Sequence, residues 1–366
     1  MAVLVGAVHT GDVRTICALS VAWSVLLAGC STDGPSATPE PPATSAASNG
    51  FDSAVAATQE RVEAYEEVAT GVIALVRVGE RTEVVTTGKA RLRPHVAMEA
   101  DMRFPLASIT KSMTATVILQ LVEDGQLALD DPVDQWVPEL RGVEQTITIE
   151  DLLAHRSGLE HATEREMRQL GTDSSRLLRA VASRPLRFEP GTRGSYSNEG
   201  YVALGLAAQR ILGQPFGEVL RTQVFDPAGM GSSSLFGRSD VHGYDGRQDV
   251  SDQFFLRWLP PAGSVVATAE DVDAFYRTLW SGRLVGADAV AQMRALRGYV
   301  GGWSDYGFGL ARERFSCGPA MGHSGRLSGI STEAWTLDDT DRSTVVLVND
   351  HLSDVAPVIV DAALCG

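Results

Sequence analysis

Apolar positions fall into two textures along this chain. Short, nearly continuous runs stand towards both ends, and runs of helical period fill the middle. Val72 to Val78 (VIALVRV) and Glu83 to Thr87 (EVVTT) are β-rich and flank Gly79-Glu80, which predicts a hairpin. Further strands are predicted near 307–312, 319–324, 329–337 and 343–349. Ahead of the hairpin, Asp52 or Ser53 can cap a helix that runs to about Ala69 and stops before Gly71. Met113 to Glu123 (MTATVILQLVE) is apolar on nearly every side, the pattern of a helix buried at the centre of a protein. Helical stretches follow at 163–183, 199–212 and 215–224. Thr268 can cap a helix over 271–281, and 354–364 reads as a closing helix. Strands at both ends with helices between them predict an α+β chain. Its N- and C-terminal segments (about 51–107 and 259–366) build one antiparallel sheet flanked by helices, and residues 108–258 form an inserted, mainly helical lobe.

The first fifty residues read differently. Ile16 to Leu27 (ICALSVAWSVLL) follows Arg14 and is too short to span a bilayer comfortably, which suits the apolar core of a signal peptide over 1–29. Leu27-Ala28-Gly29-Cys30 resembles the bacterial lipobox, so Cys30 is the expected lipidation site and the protein is expected on the outer face of the cell membrane. Plain secretion is the alternative. Residues 30–50 contain almost no large apolar side chain and are expected to form a disordered tether. The formal charge of −15 argues against a nucleic-acid partner, because phosphate repels an acidic surface.

With Cys17 in the leader and Cys30 lipidated, Cys317 and Cys365 are left. In an exported protein two such cysteines usually pair, here tying the closing helix to the strand before His323. Two free thiols are the alternative.

Candidate chemistry centres on Ser108-Ile109-Thr110-Lys111. A serine hydroxyl is a poor nucleophile until a base takes its proton. A lysine three residues on lies one helical turn away on the same face. At the buried start of a helix its amine sheds charge readily. Lys89 and Lys111 are the only lysines of the chain. Tyr196-Ser197-Asn198 adds a phenol that can share a proton shuttle and an amide that can orient substrate or lysine. His323-Ser324-Gly325 reads as a cation, a hydroxyl and a glycine on a strand that an extended substrate bearing a carboxylate can approach. The N–H groups of Arg326 and Ser108 are candidate oxyanion donors.

Together and in this order, S-x-x-K, Y-x-N and H-[TS]-G resemble the motifs of the serine β-lactamase and DD-peptidase superfamily. Leu152 to Leu159 (LLAHRSGL), Pro190-Gly191-Thr192, Gly200-Tyr201, Phe225 to Met230 and Ala262 to Asp271 resemble further family segments in register. The resemblance implies that family's fold and an acyl-enzyme on Ser108. Lys111 and Tyr196 would move the proton, in roles the sequence does not separate. Asn198, His323, Ser324, Gly325 and Arg326 would bind substrate. No cofactor and no metal is implied. The substrate would be a small peptide, amide or ester, with D-Ala-D-Ala peptides foremost. A carboxylesterase, a weak β-lactamase or a catalytically silent binding lipoprotein are the alternatives. A histidine in place of lysine in the third motif resembles certain DD-carboxypeptidases and esterases more than potent β-lactamases. Arg326 could hold a substrate carboxylate bidentately or crowd the pocket.

Overall fold

The computed structural model describes residues 44–65, 70–253, 259–301, 305–350 and 355–366. The expected signal peptide, Cys30 and most of the expected tether lie outside the described residues. The last part of that tether is a correction. Helix α1 (Thr44–Ala64) begins well before Asp52, and its first turns run through an alanine- and serine-containing stretch with no Pro.

The principal sheet has eight strands among the described residues. They are β1 (Gly71–Val78), β2 (Arg81–Arg91), β3 (Val96–Ala97), β4 (Asp305–Tyr306), β5 (Ala311–Phe315), β6 (Gly318–Leu327), β7 (Ile330–Leu337) and β8 (Arg342–Val348). Their order is β3-β2-β1-β8-β7-β6-β5-β4, with every neighbouring pair antiparallel. The predicted hairpin is present, and Val78 pairs with Arg81 across its turn. The chain's two ends meet where Val72 pairs with Val348. Both faces of this sheet are covered, which explains the continuous apolar runs. Ile73 and Leu75 of β1 join the core shared with the central helix, while Val72 joins a second cluster with residues of the closing helix. Fully burying one such side chain stabilises the fold by roughly 1.5–3 kcal/mol.

Helix α2 (Thr110–Glu123) is the central helix, with its residues from Thr110 to Leu119 and Leu121 buried. Its hydroxyls are satisfied internally, Thr116 by the Ser112 carbonyl at 2.9 Å and Thr114 by the Pro261 carbonyl at 2.6 Å. The helical lobe shares this core: Leu178 and Val202 belong to the same cluster as Ile73 and Leu75. Helix α3 (Ile149–Leu153), helix α4 (Asn198–Leu212), helix α5 (Ala269–Trp280) and closing helix α6 (Val355–Cys365) complete the elements that matter for the site.

Three local expectations change. The stretch 163–183 forms two helices, Glu164–Leu170 and Ser174–Ala182, because Thr163 and Asp173 each cap a separate start. The stretch 215–224 is helical only over Phe216–Leu220 before a wider π-type turn. The strand expected over 307–312 is interrupted. Gly309 takes φ +68° and presses against α2, where a Cβ would lie 2.6 Å from that of Ala115. Pairing resumes only at Ala311. Cys317 and Cys365 form the expected disulfide, joining the β5–β6 turn to the end of α6.

Candidate active site

Ser108 lies in a 3-10 turn (Ala107–Ile109) that runs directly into α2. Ala107 has φ +49°, a left-handed conformation that costs a residue with a Cβ about 1–2 kcal/mol. Neighbours impose it. The Leu106 N–H donates to the Val265 carbonyl at 2.8 Å, and the Thr332 hydroxyl donates to the Leu106 carbonyl at 3.0 Å. Gly325 of β6 passes beneath this turn, where a Cβ would stand 2.4 Å from the Leu106 oxygen. The strain leaves Ser108 half-buried while its flanking residues are buried.

The Lys111 side chain is fully buried. Its Nζ lies 3.0 Å from Ser108 Oγ, 2.8 Å from Asn198 Oδ1 and 2.8 Å from the Ala262 carbonyl oxygen. The last two atoms only accept hydrogen bonds. In the neutral amine they take both N–H groups, and the lone pair is left facing the serine hydroxyl. Burial pushes the Lys111 pKa well below the ordinary lysine value, with the Glu199 carboxylate pulling part of the way back. Lys89, the other lysine, is exposed on β2.

Asn198 is the first residue of α4. Ser197 caps that helix by accepting the Gly200 N–H at 3.1 Å. The Ser197 N–H in turn donates to His155 Nδ1 at 3.1 Å. His155, just beyond α3, therefore carries its proton on Nε2. Its ring lies 4.3 Å from the Tyr196 ring, centroid to centroid. The Tyr196 hydroxyl oxygen is buried and interacts with Ser108. Burial raises this phenol above its ordinary pKa, with Ser108 opposing the rise. The lysine and the tyrosine thus shift in opposite directions.

The third motif is divided by the strand it sits on. Side chains alternate between the faces of a strand. His323 and Gly325 face Tyr306 and the serine turn. Ser324 and Arg326 instead line a cavity of about 730 Å³ against α1 and α6. The Arg326 guanidinium donates to Glu333 at 2.8 Å and to its neighbour's carbonyl, Gly325 O, at 3.0 Å. Neither the Ser324 hydroxyl nor the Arg326 guanidinium is brought to Ser108, and only backbone groups of these two residues are left to serve the site. The expectation of a cationic His323 is also corrected. Its ring is buried, and desolvation, reinforced by the nearby Lys111, brings its pKa down to about 3. The Tyr306 hydroxyl lies 3.0 Å from Nε2, and Nδ1 lies 2.5 Å from the Ser324 carbonyl oxygen. A carbonyl only accepts, so the proton sits on Nδ1 and Nε2 accepts from Tyr306.

The sequence reading gave no role to His155, Glu199, Ala262 or Tyr306. Of these, His155 and Ala262 stood in segments already singled out. Glu199 and Tyr306 matter through partners remote in the chain, and no local pattern marks them.

The family described as Beta-lactamase matches residues 51–362. The chain is 27% identical over 326 residues to a D-aminopeptidase of Brucella anthropi. That match covers 80% of this chain and 59% of the relative, so the chain spans under two thirds of that protein's length. A D-amino acid amidase structure from Ochrobactrum anthropi SV3 superposes with a TM-score of 0.75 at 24% identity, covering 85% of this chain and 95% of that one. A D-stereospecific amidohydrolase from a Streptomyces species gives 0.70 at 26% identity, covering 85% and 98%. With the family matched over most of its length and the fold shared with these structures, the chain belongs to the beta-lactamase family of serine hydrolases.

Proposed function

We propose that the protein cleaves the amide bond of a small peptide or amide that carries a D-amino acid, through an acyl-enzyme on Ser108. The observation that carries this reading is the Lys111 amine, held by two carbonyl oxygens so that its lone pair meets Ser108 Oγ at 3.0 Å. Neutral Lys111 takes the serine proton while Oγ bonds to the substrate carbonyl carbon. The N–H groups of Ser108 and Arg326 hold the resulting oxyanion. Tyr196 gives its proton to the leaving nitrogen as the C–N bond breaks and recovers one from Lys111. Water then attacks the ester and restores Ser108. The raised pKa of Tyr196 suits a group that must still hold its proton at neutral pH.

The D-configuration rests on the names of two relatives, a D-aminopeptidase and a D-stereospecific amidohydrolase. This widens the expectation drawn from D-Ala-D-Ala peptides to amides on either side of a D-residue. Export and lipid anchoring at Cys30 belong to the same proposal.

The test compares wild type with Ser108→Ala on three substrates: a D-alanine p-nitroanilide, an N-acyl D-Ala-D-Ala peptide and a p-nitrophenyl ester. Membrane and soluble fractions are assayed separately. Expected is turnover of a D-configured amide over its L-form, lost in the variant and sedimenting with membranes. Ester cleavage without amide cleavage would move the protein to the esterases. Activity wholly in the soluble fraction would remove the anchor.

A further inference from the structure

Directly after Asn198 stands a glutamate that the mechanism above does not use. Glu199 is buried, only 3% exposed, in the first turn of α4. Its carboxylate accepts from the Ala162 N–H at 2.8 Å and from the Ser197 hydroxyl at 3.2 Å, and it lies 3.2 Å from His161 Nδ1. The direction of the last contact follows from the other side of the ring. Arg187 Nη1 lies 2.8 Å from His161 Nε2, and a guanidinium only donates, so Nε2 accepts and Nδ1–H donates to Glu199. The same Arg187 nitrogen donates to Ser195 Oγ at 2.7 Å. One buried carboxylate thus gathers donors from the 161–162 loop and from the cap of the helix that presents Asn198 to Lys111.

We propose that Glu199 is a positioning residue for the Ser108–Lys111 pair: its buried carboxylate locks the Tyr196–Asn198 segment onto the 161–162 loop and places a fixed negative charge beside the lysine. The inference rests on the reading of Lys111 as the base for Ser108. Helix capping does not account for it, because Ser197 already caps α4. Burial works against the charge of Glu199, yet the His161 ring and the Ala162 N–H hold its carboxyl below the ordinary glutamate value. The charged and titratable groups around it are Lys111 on α2, His155 through Ser197, His161, and beyond that ring Arg187, Arg184 and Glu160. Within this set Lys111 is the group whose protonation sets nucleophile strength.

The sign follows from electrostatics. Glu199 favours the protonated amine, so removing its charge lets Lys111 lose its proton at lower pH. Acylation of Ser108 rises with pH as Lys111 becomes neutral. In Glu199→Gln that rise moves to lower pH by about one unit.

The experiment measures the rate of Ser108 labelling by a fluorophosphonate across pH, read by intact mass, for wild type, Glu199→Gln, Glu199→Asp and Ser108→Ala. This readout needs no knowledge of the natural substrate. Expected is a displaced limb in Glu199→Gln and an undisplaced limb in Glu199→Asp, which keeps the charge. The Asp variant labels about tenfold more slowly, because its shorter side chain loosens the lock. Superimposable limbs for wild type and Glu199→Gln, with only a lower melting temperature, would overturn the inference and leave the base assignment standing. If Glu199→Gln fails to fold, Glu199→Asp decides: labelling at the wild-type rate overturns the positioning role. Labelling of Ser108→Ala at the wild-type rate would instead overturn the nucleophile assignment, and the inference with it.

Discussion

At Lys111, one side-chain oxygen and one main-chain oxygen leave the amine a single open direction, and that direction holds Ser108. His323 shows the same economy, because its two ring nitrogens are assigned by one carbonyl and one phenol. Tyr306→Phe removes that phenol from a buried acceptor. It is expected to destabilise the protein by about 1–3 kcal/mol, measured by denaturant unfolding. An unchanged midpoint would mean that the hydroxyl adds nothing to the packing of the ring around it. Ser108, Lys111, Tyr196 and Asn198 were legible in the sequence because their chemistry is carried by spacings of two or three residues. Glu199 was not. A glutamate in the first turn of a helix is ordinary, and only its donors some 37 residues earlier make it unusual.

Strand β6 is the element that brings the sheet to the nucleophile, and it does so through an absent side chain. A Cβ on Gly325 would meet Leu106 O and Thr332 Oγ1 at 2.4 Å each and the Ala107 Cβ at 2.9 Å. All three atoms belong to the bracing of the serine turn. Gly325→Ala is therefore expected to displace Ser108 rather than unfold the chain. Fluorophosphonate labelling should fall about 10²-fold, with a far smaller change in thermal stability. Labelling at the wild-type rate would show that the turn can move aside freely. The motif was legible here as a string but not as a surface. A period of two residues sends Ser324 and Arg326 away from His323 and Gly325, and that division depends on which face the sheet gives to α2. The central helix and the hairpin were legible for the opposite reason, since burial on all sides leaves an unbroken apolar run.

On the scale of the molecule, the eight-stranded sheet, in which the N- and C-terminal segments pair through β1 and β8, carries a core on each face. The Cys317–Cys365 bridge closes a loop of 48 residues along one border of that arrangement. Replacing both cysteines by serine is expected to lower stability by about 3–4 kcal/mol in the loop-entropy picture, seen as a lower urea midpoint. The variant should still label at Ser108, and a lost label with an intact fold would mean that the bridge also shapes the site. Strands towards both ends of the chain with helices between them were legible in sequence, whereas the shared core was not, because contacts between Ile73 and the helical segments leave no trace in local pattern. The distribution of amines has a practical consequence. The chain carries its positive charge almost entirely on arginine, Lys111 is sealed inside, and Lys89 stands in solvent. Reagents that seek lysine, such as activated esters used to tether enzymes to beads or dyes, therefore meet Lys89 on the far strand of the hairpin and pass over the amine that the nucleophile depends on.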